Sequence, residues 1–372
     1  MNKMKLLITG GHLTPALAVI DKIIESLQTK TISLIFVGRK YALDSEQTLS
    51  LEYKEITKRN IPFISLHAGR ITRLMTFRSF INMLKIPIGF IHAFVALRQQ
   101  TPDVILSFGG YLAIPVAIVG WLLRIPVFTH EQTICPGLAN RIIAFFSKKI
   151  FYSFPESKHF FPPRKSILSG NPVRNTVFKI IDKPIDVDRT KPVIYITGGS
   201  LGSHGINEHI RTILPTLLQN YVVIHQTGDI KEYNDYEHLL RYRRTFPEEI
   251  RKRFFPIKHF FDNEIGYIYS VSDMVVARAG ANTFFELIHL KKPTIFIPLP
   301  WSAQKEQQKH AEFFKNYKIG EVFEQKEPSA RLLELIRAVV SHKDTYIKNF
   351  EALPFQIRRD ATDVIIHEIT QE

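Results

Sequence analysis

Short apolar runs alternate with helix-like patterns along most of the chain. The runs typical of strands occupy residues 5–9, 32–37, 103–106, 125–128, 193–196, 221–226, 273–276 and 294–297. Between several of them, apolar residues recur at three- and four-residue intervals, the spacing that buries one face of a helix. The alternation predicts an α/β protein with parallel sheets, in which ligands bind beyond the carboxyl ends of the strands.

A four-residue turn occurs twice in equivalent places. Ile8-Thr9-Gly10-Gly11 ends the first predicted strand, and Ile196-Thr197-Gly198-Gly199 ends another strand about half a chain later. Each turn precedes a predicted helix. The repeat indicates two Rossmann-like domains in tandem. We place the linker near residues 170–174 and 182–192, where proline and charge replace the apolar pattern.

The segment after the strand at 273–276 has features of a nucleotide site. Gly280 lets a ligand approach the backbone, and a predicted helix starting near Asn282 offers N–H groups to an anion. Glu286 lies about one turn inside that helix, where its carboxylate can accept hydrogen bonds from a sugar hydroxyl. A capping asparagine and a surface glutamate in an ordinary βα unit explain the same residues. The segment by itself leaves both interpretations open.

The composition is that of a folded protein with a strongly basic balance. Its 372 residues favour two domains, and 45% of them are hydrophobic. The net charge of +14 predicts attraction to nucleic acid, an anionic membrane or phosphorylated substrates. A single cysteine, Cys135, excludes an internal disulfide and a cysteine-built zinc site, and it fits a reducing compartment. The chain begins with a strand pattern and not with that of a signal peptide, so we expect no export.

Residues 74–94 combine large apolar side chains with cations. This is more apolar surface than a nucleic-acid site requires, so we assign the positive charge to an anionic membrane and predict no nucleic-acid partner. No apolar run reaches the roughly 20 residues of a membrane-spanning helix. A core helix flanked by solvated charges is the alternative. The predicted membrane-surface residues are Arg73, Leu74, Met75, Phe77, Arg78, Phe80 and Ile81.

Eight motifs occur in one order along nearly the whole chain. They are Gly10-Gly11-His12, Gly109-Gly110-Tyr111, His130-Glu131-Gln132, Gly170-Asn171-Pro172-Val173-Arg174, Gly198-Gly199-Ser200-Leu201-Gly202-Ser203, His225-Gln226-Thr227-Gly228, the segment 278–286, and Gln307-Gln308. In this order they resemble the MurG family of glycosyltransferases. The resemblance implies a GT-B fold, in which two Rossmann-like domains with parallel sheets face a cleft.

The same resemblance implies a division of labour between the domains. Residues 1–174 would form the acceptor-binding and membrane-associating domain, and residues 175–352 would bind the UDP-sugar. A C-terminal helix within 353–372 would pack back on the first domain.

The resemblance also assigns the donor site. It places Ser200 and Arg174 near the donor diphosphate, where a hydroxyl and a guanidinium offset the negative charge. Glu286 matches the glutamate that holds the ribose hydroxyls. The residues implied to line the diphosphate are Ala281, Asn282 and Thr283, and those implied to bond the donor sugar are Gln307 and Gln308.

His12 matches the family's histidine in the first glycine turn. Because the transfer inverts the anomeric centre, a base must take the proton from the attacking hydroxyl, and a histidine with a pKa near 6.5 suits that task. A histidine that only orients the acceptor diphosphate is the rival role. The other implied acceptor residues are Gly10, Gly11, Tyr111, His130, Glu131, Gln132 and Thr133, although Glu131 also suits a helix cap.

Two positions on the acceptor side depart from the family's usual pattern. The first glycine turn, Thr9-Gly10-Gly11-His12, is shorter than the glycine-rich run usual before this histidine. Thr133 stands where the family usually has asparagine, and a threonine has no amide to offer an acceptor.

The resemblance implies transfer of N-acetylglucosamine from UDP-N-acetylglucosamine to a polyprenyl-diphosphate-linked muramyl-pentapeptide in peptidoglycan synthesis. It implies no cofactor, no metal, and a peripheral position on the cytoplasmic side of the inner (plasma) membrane. Three alternatives stay open: a transferase with another lipid acceptor, a UDP-N-acetylglucosamine 2-epimerase, and a non-catalytic glycolipid-binding partner. An epimerase has no use for the apolar and basic surface at 74–94.

Overall fold

This computed structural model describes residues 3–26, 31–41, 49–66, 86–199, 201–302, 305–353 and 358–371. The chain divides into two compact units, one of residues 1–174 with 358–372 and one of residues 175–357. The predicted membrane-surface residues between positions 73 and 81, and the predicted donor residue Ser200, lie outside the described residues.

The first unit is built around a seven-stranded sheet. Its strands are β1 (Met4–Thr9), β2 (Ile32–Gly38), β3 (Phe63–Ser65), β4 (Val104–Ser107), β5 (Val127–Glu131), β6 (Lys149–Tyr152) and β7 (Ser166–Leu168). The helices between these strands are α1 (Leu13–Glu25), α2 (Leu51–Lys58), α3 (Ile86–Gln100), α4 (Ala113–Leu122) and α5 (Leu138–Phe146).

Strand β1 lies between β2 and β4 in this sheet. The strand order is β3-β2-β1-β4-β5-β6-β7, and every neighbouring pair is parallel. The chain runs outward from β1 to β3 and then returns to the other side of β1 through β4. The turns after β1 and β4 therefore leave the sheet side by side, where ligands bind in doubly wound folds.

The second unit repeats this plan with six strands. Its strands are β8 (Val193–Thr197), β9 (Val222–Gln226), β10 (Phe254–Ile257), β11 (Met274–Ala277), β12 (Thr294–Phe296) and β13 (Gly320–Val322). Its helices are α6 (His204–Asn220), α7 (Asp235–Arg244), α8 (Glu248–Arg251), α9 (Ile265–Val271), α10 (Ala281–His289), α11 (Glu306–Asn316), α12 (Ser329–Ser341) and α13 (Lys343–Asn349).

Strand β8 takes the place in the second sheet that β1 takes in the first. The order is β10-β9-β8-β11-β12-β13, again parallel throughout, and Thr197 at the end of β8 pairs with Ala277 at the end of β11. The second glycine loop and the segment that begins at Arg278 therefore start next to each other.

A last helix, α14 (Ala361–Thr370), belongs to the first unit and packs on α1. Ile365, Ile366 and Ile369 are buried in the same core as α1 and β1. Burying each of these side chains contributes roughly 1.5–3 kcal/mol. Ile366 on the same helix is buried, whereas Val364 is only half-buried.

Helices α3, α4 and α5 cover one face of the first sheet and keep large apolar side chains on their outer side. Helix α3 buries Gly89, Ala93, Ala96 and Leu97 and packs the half-buried Phe90 against the same core, whereas Ile88, Ile91, Phe94 and Val95 face outward. The exposed large apolar residues of the three helices are Ile88, Ile91, Phe94, Val95, Trp121, Leu122, Leu138 and Phe145. Within the described ranges, no helix combines the length and apolarity needed to cross a bilayer.

Strand β5 differs from its predicted extent. The apolar pattern predicted residues 125–128, but the strand runs from Val127 to Glu131, so His130 and Glu131 belong to the strand and not to the turn. The apolar pattern missed the last residues of this strand because they are polar although they are buried. The pattern did not predict strands β3, β6, β7, β10 and β13, each of which has only three or four residues, too few for a periodic signal.

Candidate functional site

The first candidate region lies where β1 and β4 leave the first sheet. The two glycine turns pack on each other, and the backbone N–H of His12 donates to the carbonyl oxygen of Phe108 at 3.1 Å. A Cβ atom on Gly11 would stand 2.3 Å from the carbonyl oxygen of Gly109, and the φ of Gly11 is +150°. This close approach of backbone to backbone requires glycine at position 11.

Glu52 on α2 packs against the first turn, and the sequence analysis missed it. Its carboxylate accepts the backbone N–H of Arg39 at 3.1 Å and a further backbone hydrogen bond from Gly11. Its Oε1 atom lies 2.5 Å from the position of a Cβ atom on Gly10. Burial raises the pKa of Glu52. No motif spacing links this residue to the turn, so only the fold reveals it.

His12 directly precedes α1, and its ring is held by Gln132 from the segment after β5. The side-chain Nε2 of Gln132 lies 2.6 Å from Nδ1 of His12. Burial lowers the pKa of His12, and the charge of Glu131 partly opposes this effect. The ring is therefore neutral near pH 7, the form in which an imidazole nitrogen can accept a proton.

Glu131 is buried within a local hydrogen-bond cluster. One carboxylate oxygen accepts the backbone N–H and the hydroxyl of Thr133 at 2.8 and 2.7 Å, and the other accepts the amide of Asn140 at 2.8 Å. Thr133 thus directs its hydroxyl to Glu131. Asn140 was missed by the sequence analysis, since its role depends on α5 returning to the end of β5. The cluster fixes a carboxylate close enough to influence His12.

His130 and Tyr111 occupy different surroundings at this edge. The His130 ring is fully buried, packs on Phe108 with 5.6 Å between ring centroids, and has Nε2 3.1 Å from the carbonyl oxygen of Gly170. Burial lowers the pKa of His130 to about 4. These contacts anchor the 169–171 segment to β5. Tyr111 is half-buried, with the Arg39 guanidinium 5.9 Å from its ring centroid.

The second candidate region begins with the glycine loop after β8. The backbone N–H of Gly199 donates to the hydroxyl of Thr197 at 3.1 Å, which turns the chain sharply out of the sheet. Gly202 has a φ of +83°, and a Cβ atom there would stand 2.1 Å from the carbonyl oxygen of Thr227. The loop thus lies against the end of β9 and leads into the N-terminus of α6, an arrangement that favours anions.

Arg278 is a buried cation at the end of β11. Its guanidinium donates to the carbonyl oxygen of Ile297 at 2.9 Å, to the hydroxyl of Ser203 at 2.6 Å and to the side-chain oxygen of Gln325 at 2.6 Å. These three partners are uncharged. Burial lowers the pKa of Arg278 to about 10, which leaves the group protonated at neutral pH. The second edge therefore carries a fixed positive charge.

Helix α10 begins just beyond Arg278. Ala281, Asn282 and Thr283 form its first turn, whose backbone N–H groups point beyond the helix end. Glu286 follows and is buried, with its carboxylate accepting the hydroxyl of Tyr269 at 2.9 Å. Tyr269 was missed by the sequence analysis. The helix thus presents an N-terminus whose N–H groups favour anions and, one turn later, a buried carboxylate.

Gln307 and Gln308 support the segment after β12. The side-chain oxygen of Gln307 accepts the backbone N–H of Leu299 at 3.0 Å. Gln308 accepts the hydroxyl of Ser302 at 3.0 Å and donates to the carbonyl oxygen of Leu299 at 3.2 Å. Both amides therefore brace the 299–302 turn. Arg174 is the last residue of the first unit before the chain enters the second, which holds the other predicted donor residues.

A cavity of about 490 Å³ near the starts of α6 and α7 contains none of the predicted site residues. His204, Glu208 and Asp235 line it, and one potential metal-ligand atom from each lies within 4.8 Å of the others. These groups already have charged partners: His204 lies 2.9 Å from Asp235, and Glu208 lies 2.7 Å from Arg211. We assign the cluster to the packing of α6 against α7. The four-residue spacing of His204 and Glu208 was visible in the sequence, whereas Asp235 was not.

Comparisons with known proteins cover both units. Residues 9–152 match the glycosyltransferase family 28 N-terminal domain, and residues 193–364 match the glycosyltransferase family 28 C-terminal domain. Together the matches include both glycine turns, His12, Arg278 and Glu286.

Two relatives named as the same kind of transferase match almost end to end. A Bacillus anthracis protein named UDP-N-acetylglucosamine--N-acetylmuramyl-(pentapeptide) pyrophosphoryl-undecaprenol N-acetylglucosamine transferase 2 is 32% identical over 99% of both chains. A Clostridium perfringens strain 13 protein, named as the same transferase without a number, is 32% identical over 94% of both chains.

Solved structures show the same architecture. The crystal structure of Acinetobacter baumannii MurG superposes with a TM-score of 0.72 at 22% identity over the whole of both chains. A putative UDP-N-acetylglucosamine 2-epimerase from Listeria monocytogenes superposes with a TM-score of 0.66 at 13% identity, over 100% of this chain and 96% of that one. The predicted GT-B fold, with two Rossmann-like α/β domains and parallel sheets, is thereby confirmed. By its full-length relatives and its two domain matches, the chain belongs to the MurG family within glycosyltransferase family 28.

Proposed function

We propose that this protein transfers N-acetylglucosamine from UDP-N-acetylglucosamine to a muramyl-pentapeptide carried on a polyprenyl diphosphate. The observation that carries the proposal is the carboxyl edge of the second sheet. There a glycine loop, a helix N-terminus and the buried cation Arg278 lie next to a helix that carries the buried carboxylate of Glu286. This combination matches a ligand with two phosphates and a ribose.

The donor half of the proposal follows from charge. Backbone N–H groups at the starts of α6 and α10 and the guanidinium of Arg278 favour the diphosphate, whose charge increases at the leaving oxygen as the sugar departs. Glu286, oriented by Tyr269, accepts hydrogen bonds from the ribose hydroxyls. Gln307, Gln308, Ser200 and Arg174 complete the proposed donor set.

The acceptor half uses His12 as the base. The oxygen of the acceptor hydroxyl forms a bond to C1 of N-acetylglucosamine while the bond from C1 to the UDP oxygen breaks. The bonding electron pair leaves with UDP, and the hydroxyl proton passes to the neutral ring of His12. The negative charge of Glu131 stabilises the imidazolium that results. Solvent then removes that proton.

The test is transfer of radiolabelled N-acetylglucosamine from the UDP donor to a lipid-linked muramyl acceptor. We expect transfer by the wild type, and we expect Glu286→Ala to weaken donor binding by roughly 10- to 100-fold, because it removes a charged acceptor of hydrogen bonds. A Glu321→Ala control removes a carboxylate elsewhere in the unit. Conversion of UDP-N-acetylglucosamine to its 2-epimer without an acceptor would instead identify an epimerase, and glycolipid binding without transfer would identify a binding partner.

We also propose that the first unit associates with the cytoplasmic side of the inner membrane through the outer side of α3, α4 and α5. Phe94, Trp121 and Phe145 are 45%, 52% and 77% exposed, which is unusual for aromatic side chains on adjoining helices. The Arg98 guanidinium lies 5.6 Å from the ring centroid of Phe94, and Arg124 follows α4. Apolar side chains bordered by cations suit an anionic lipid surface.

The two tryptophans of the chain make this association measurable. In Trp301→Phe, the remaining Trp121 should shift its fluorescence to the blue when vesicles containing anionic lipid are added. In Trp121→Phe, the remaining Trp301, which is 75% exposed in the second unit, serves as the control and should not respond. Raised salt should weaken the response. No shift for Trp121, or an equal shift for Trp301, would contradict the proposed membrane surface.

A further inference from the structure

One ring nitrogen of His12 is held by the protein, and this contact restricts which nitrogen can act as a base. Gln132 approaches Nδ1 at 2.6 Å. A neutral imidazole has one N–H donor and one acceptor nitrogen. With Nδ1 engaged by Gln132, removal of a proton from an acceptor hydroxyl falls to Nε2, which must then carry a lone pair.

The orientation of the Gln132 amide therefore sets the reactivity of His12. When the NH₂ group faces Nδ1, it donates to that nitrogen, the ring proton sits on Nε2, and Nε2 cannot act as a base. When the amide oxygen faces Nδ1, it accepts the Nδ1–H, and Nε2 keeps its lone pair. The two orientations differ by a half-turn about the last side-chain bond of the glutamine.

Two observations favour the orientation with the oxygen toward His12. The separation of 2.6 Å lies just below the range of about 2.7–3.2 Å for N–H···O bonds. A contact this short suits an oxygen acceptor better than a second nitrogen. With the NH₂ group toward the ring, the Gln132 oxygen is buried and finds no hydrogen-bond partner within the described parts of the chain. The half-turn gives that oxygen a donor and moves the NH₂ group to the oxygen's former position.

We infer that Gln132 is a positioning residue whose side-chain carbonyl accepts the Nδ1–H of His12, which leaves Nε2 unprotonated to serve as the base. The importance of this tautomer for turnover rests on the proposed transferase function. The tautomer itself can be measured in the protein without any substrate. Gln132 in this role orients the His12 ring without touching the reacting atoms.

Within the described parts of the chain, the titratable groups near this turn include Glu131, His130 and Glu52. Glu131, in β5, places a negative charge near the ring and favours its protonated form. His130, also in β5, is held neutral by burial. Glu52, on α2, binds the backbone of the turn through Gly11. The charge of Glu131 raises the pKa of His12, and a negative charge introduced at position 132 would raise it further.

The tautomer can be read directly by NMR of protein labelled with ¹⁵N-histidine. The chain has 14 histidines, so a difference spectrum between wild type and His12→Gln assigns the signals of position 12. We expect Nδ1 of His12 to be protonated and Nε2 to be unprotonated in the wild type at pH 8. Gln132→Met should give a mixture of tautomers, and the exposed control Gln219→Met should leave the signals unchanged. A ring protonated at Nε2 in the wild type overturns the inference even if the enzyme is active.

Turnover provides the second readout. Gln132→Met should lower kcat by roughly 10- to 100-fold, the loss seen when a partner that orients a metal-bound histidine is removed. Gln132→Glu keeps an acceptor at Nδ1, so it should retain most activity and move the acidic limb of the kcat/KM profile to higher pH, since the added charge raises the pKa of His12. Equal loss in both variants with no movement of the limb would reject the positioning role. Absence of transfer by the wild type would reject the proposed function and leave the NMR result standing.

Discussion

The two sheets share a strand order, but their carboxyl edges are built for different tasks. At the first edge, His12 is neutral, Gln132 contacts its ring, and Glu131 lies behind it. At the second edge, Arg278 keeps a positive charge with three uncharged partners beside two helix N-termini. One topology thus holds a neutral imidazole at one edge, which we propose accepts a proton, and a fixed positive charge at the other, which we propose binds an anion. Strand order fixes where a ligand binds, and the residues just after each strand decide what that ligand is.

Removing the ring at the first edge should have the largest effect on turnover. We expect His12→Ala to lower kcat by roughly 100-fold or more, because the acceptor hydroxyl then loses its general base. UDP affinity, which we assign to the second edge, should stay unchanged. Transfer kinetics measure kcat, and calorimetry measures UDP affinity. Near-normal turnover would reduce His12 to an orienting role and weaken the contrast between the edges.

Removing the charge at the second edge should produce the opposite pattern. We expect Arg278→Met to weaken UDP binding by roughly 10- to 100-fold, the range for losing a charged hydrogen-bonding group, and to leave uridine binding nearly unchanged. Arg278→Lys keeps the charge with fewer hydrogen-bond donors, so its UDP affinity should lie between those of the wild type and Arg278→Met. If UDP and uridine lost affinity equally, Arg278 would be supporting the fold of the site and not the charge of its ligand.

Acid should destabilise the second unit strongly through its buried histidines. Burial lowers the pKa of His225 to about 3 and that of His310 to about 4, compared with about 6.5 in an unfolded chain. The unfolded chain therefore binds protons first as the pH falls, and stability is lost progressively below about pH 6.5 until the folded pKa is reached. Each ring should cost about 2 kcal/mol at pH 5.

This pH dependence can be measured by urea unfolding at pH 7 and pH 5. In His310→Gln, whose amide can still donate to the carbonyl oxygen of Ala279, the difference in unfolding free energy between the two pH values should shrink by about 2 kcal/mol. An unchanged pH dependence would mean that the His310 ring is protonated in the folded state without loss of stability.

The smallest expected effect concerns the orientation of Glu286. Tyr269→Phe removes a hydroxyl that donates to this carboxylate at 2.9 Å and keeps the aromatic ring. A hydrogen bond of this kind contributes about 1 kcal/mol, so donor affinity should fall about five-fold. Titration with UDP and with the full donor would show the loss. A gain in affinity would mean that Tyr269 competes with the ribose for Glu286.

The fold was predictable from the sequence where a glycine turn stands between an apolar strand and a helix. Gly10-Gly11 and Gly198-Gly199 each follow an apolar strand and precede a helix, so the two edges were recognisable before any contact was known. The helix that carries Glu286 was predicted to start near Asn282, and α10 starts at Ala281, while binding of a ribose by Glu286 stays a prediction.

The contacts between residues at the first edge depend on distant parts of the chain. Gln132 meets His12 from 120 positions away, and Glu52 reaches the first turn from another helix. The buried polar end of β5 was read as a turn because polarity predicts exposure unless a partner such as Asn140 is known. Such pairings are properties of tertiary structure, and no local periodicity encodes them.

The docking of α14 on α1 has a consequence for protein synthesis. The core of the first unit uses Ile365, Ile366 and Ile369, which the ribosome adds only after the whole second unit has been made. During translation the second unit can complete its fold while the α1 face of the first stays uncovered. Nascent chains that stall before α14 therefore expose the apolar side of α1, the kind of surface that chaperones and proteases recognise. Completion of the first unit thereby reports that the second has already been translated.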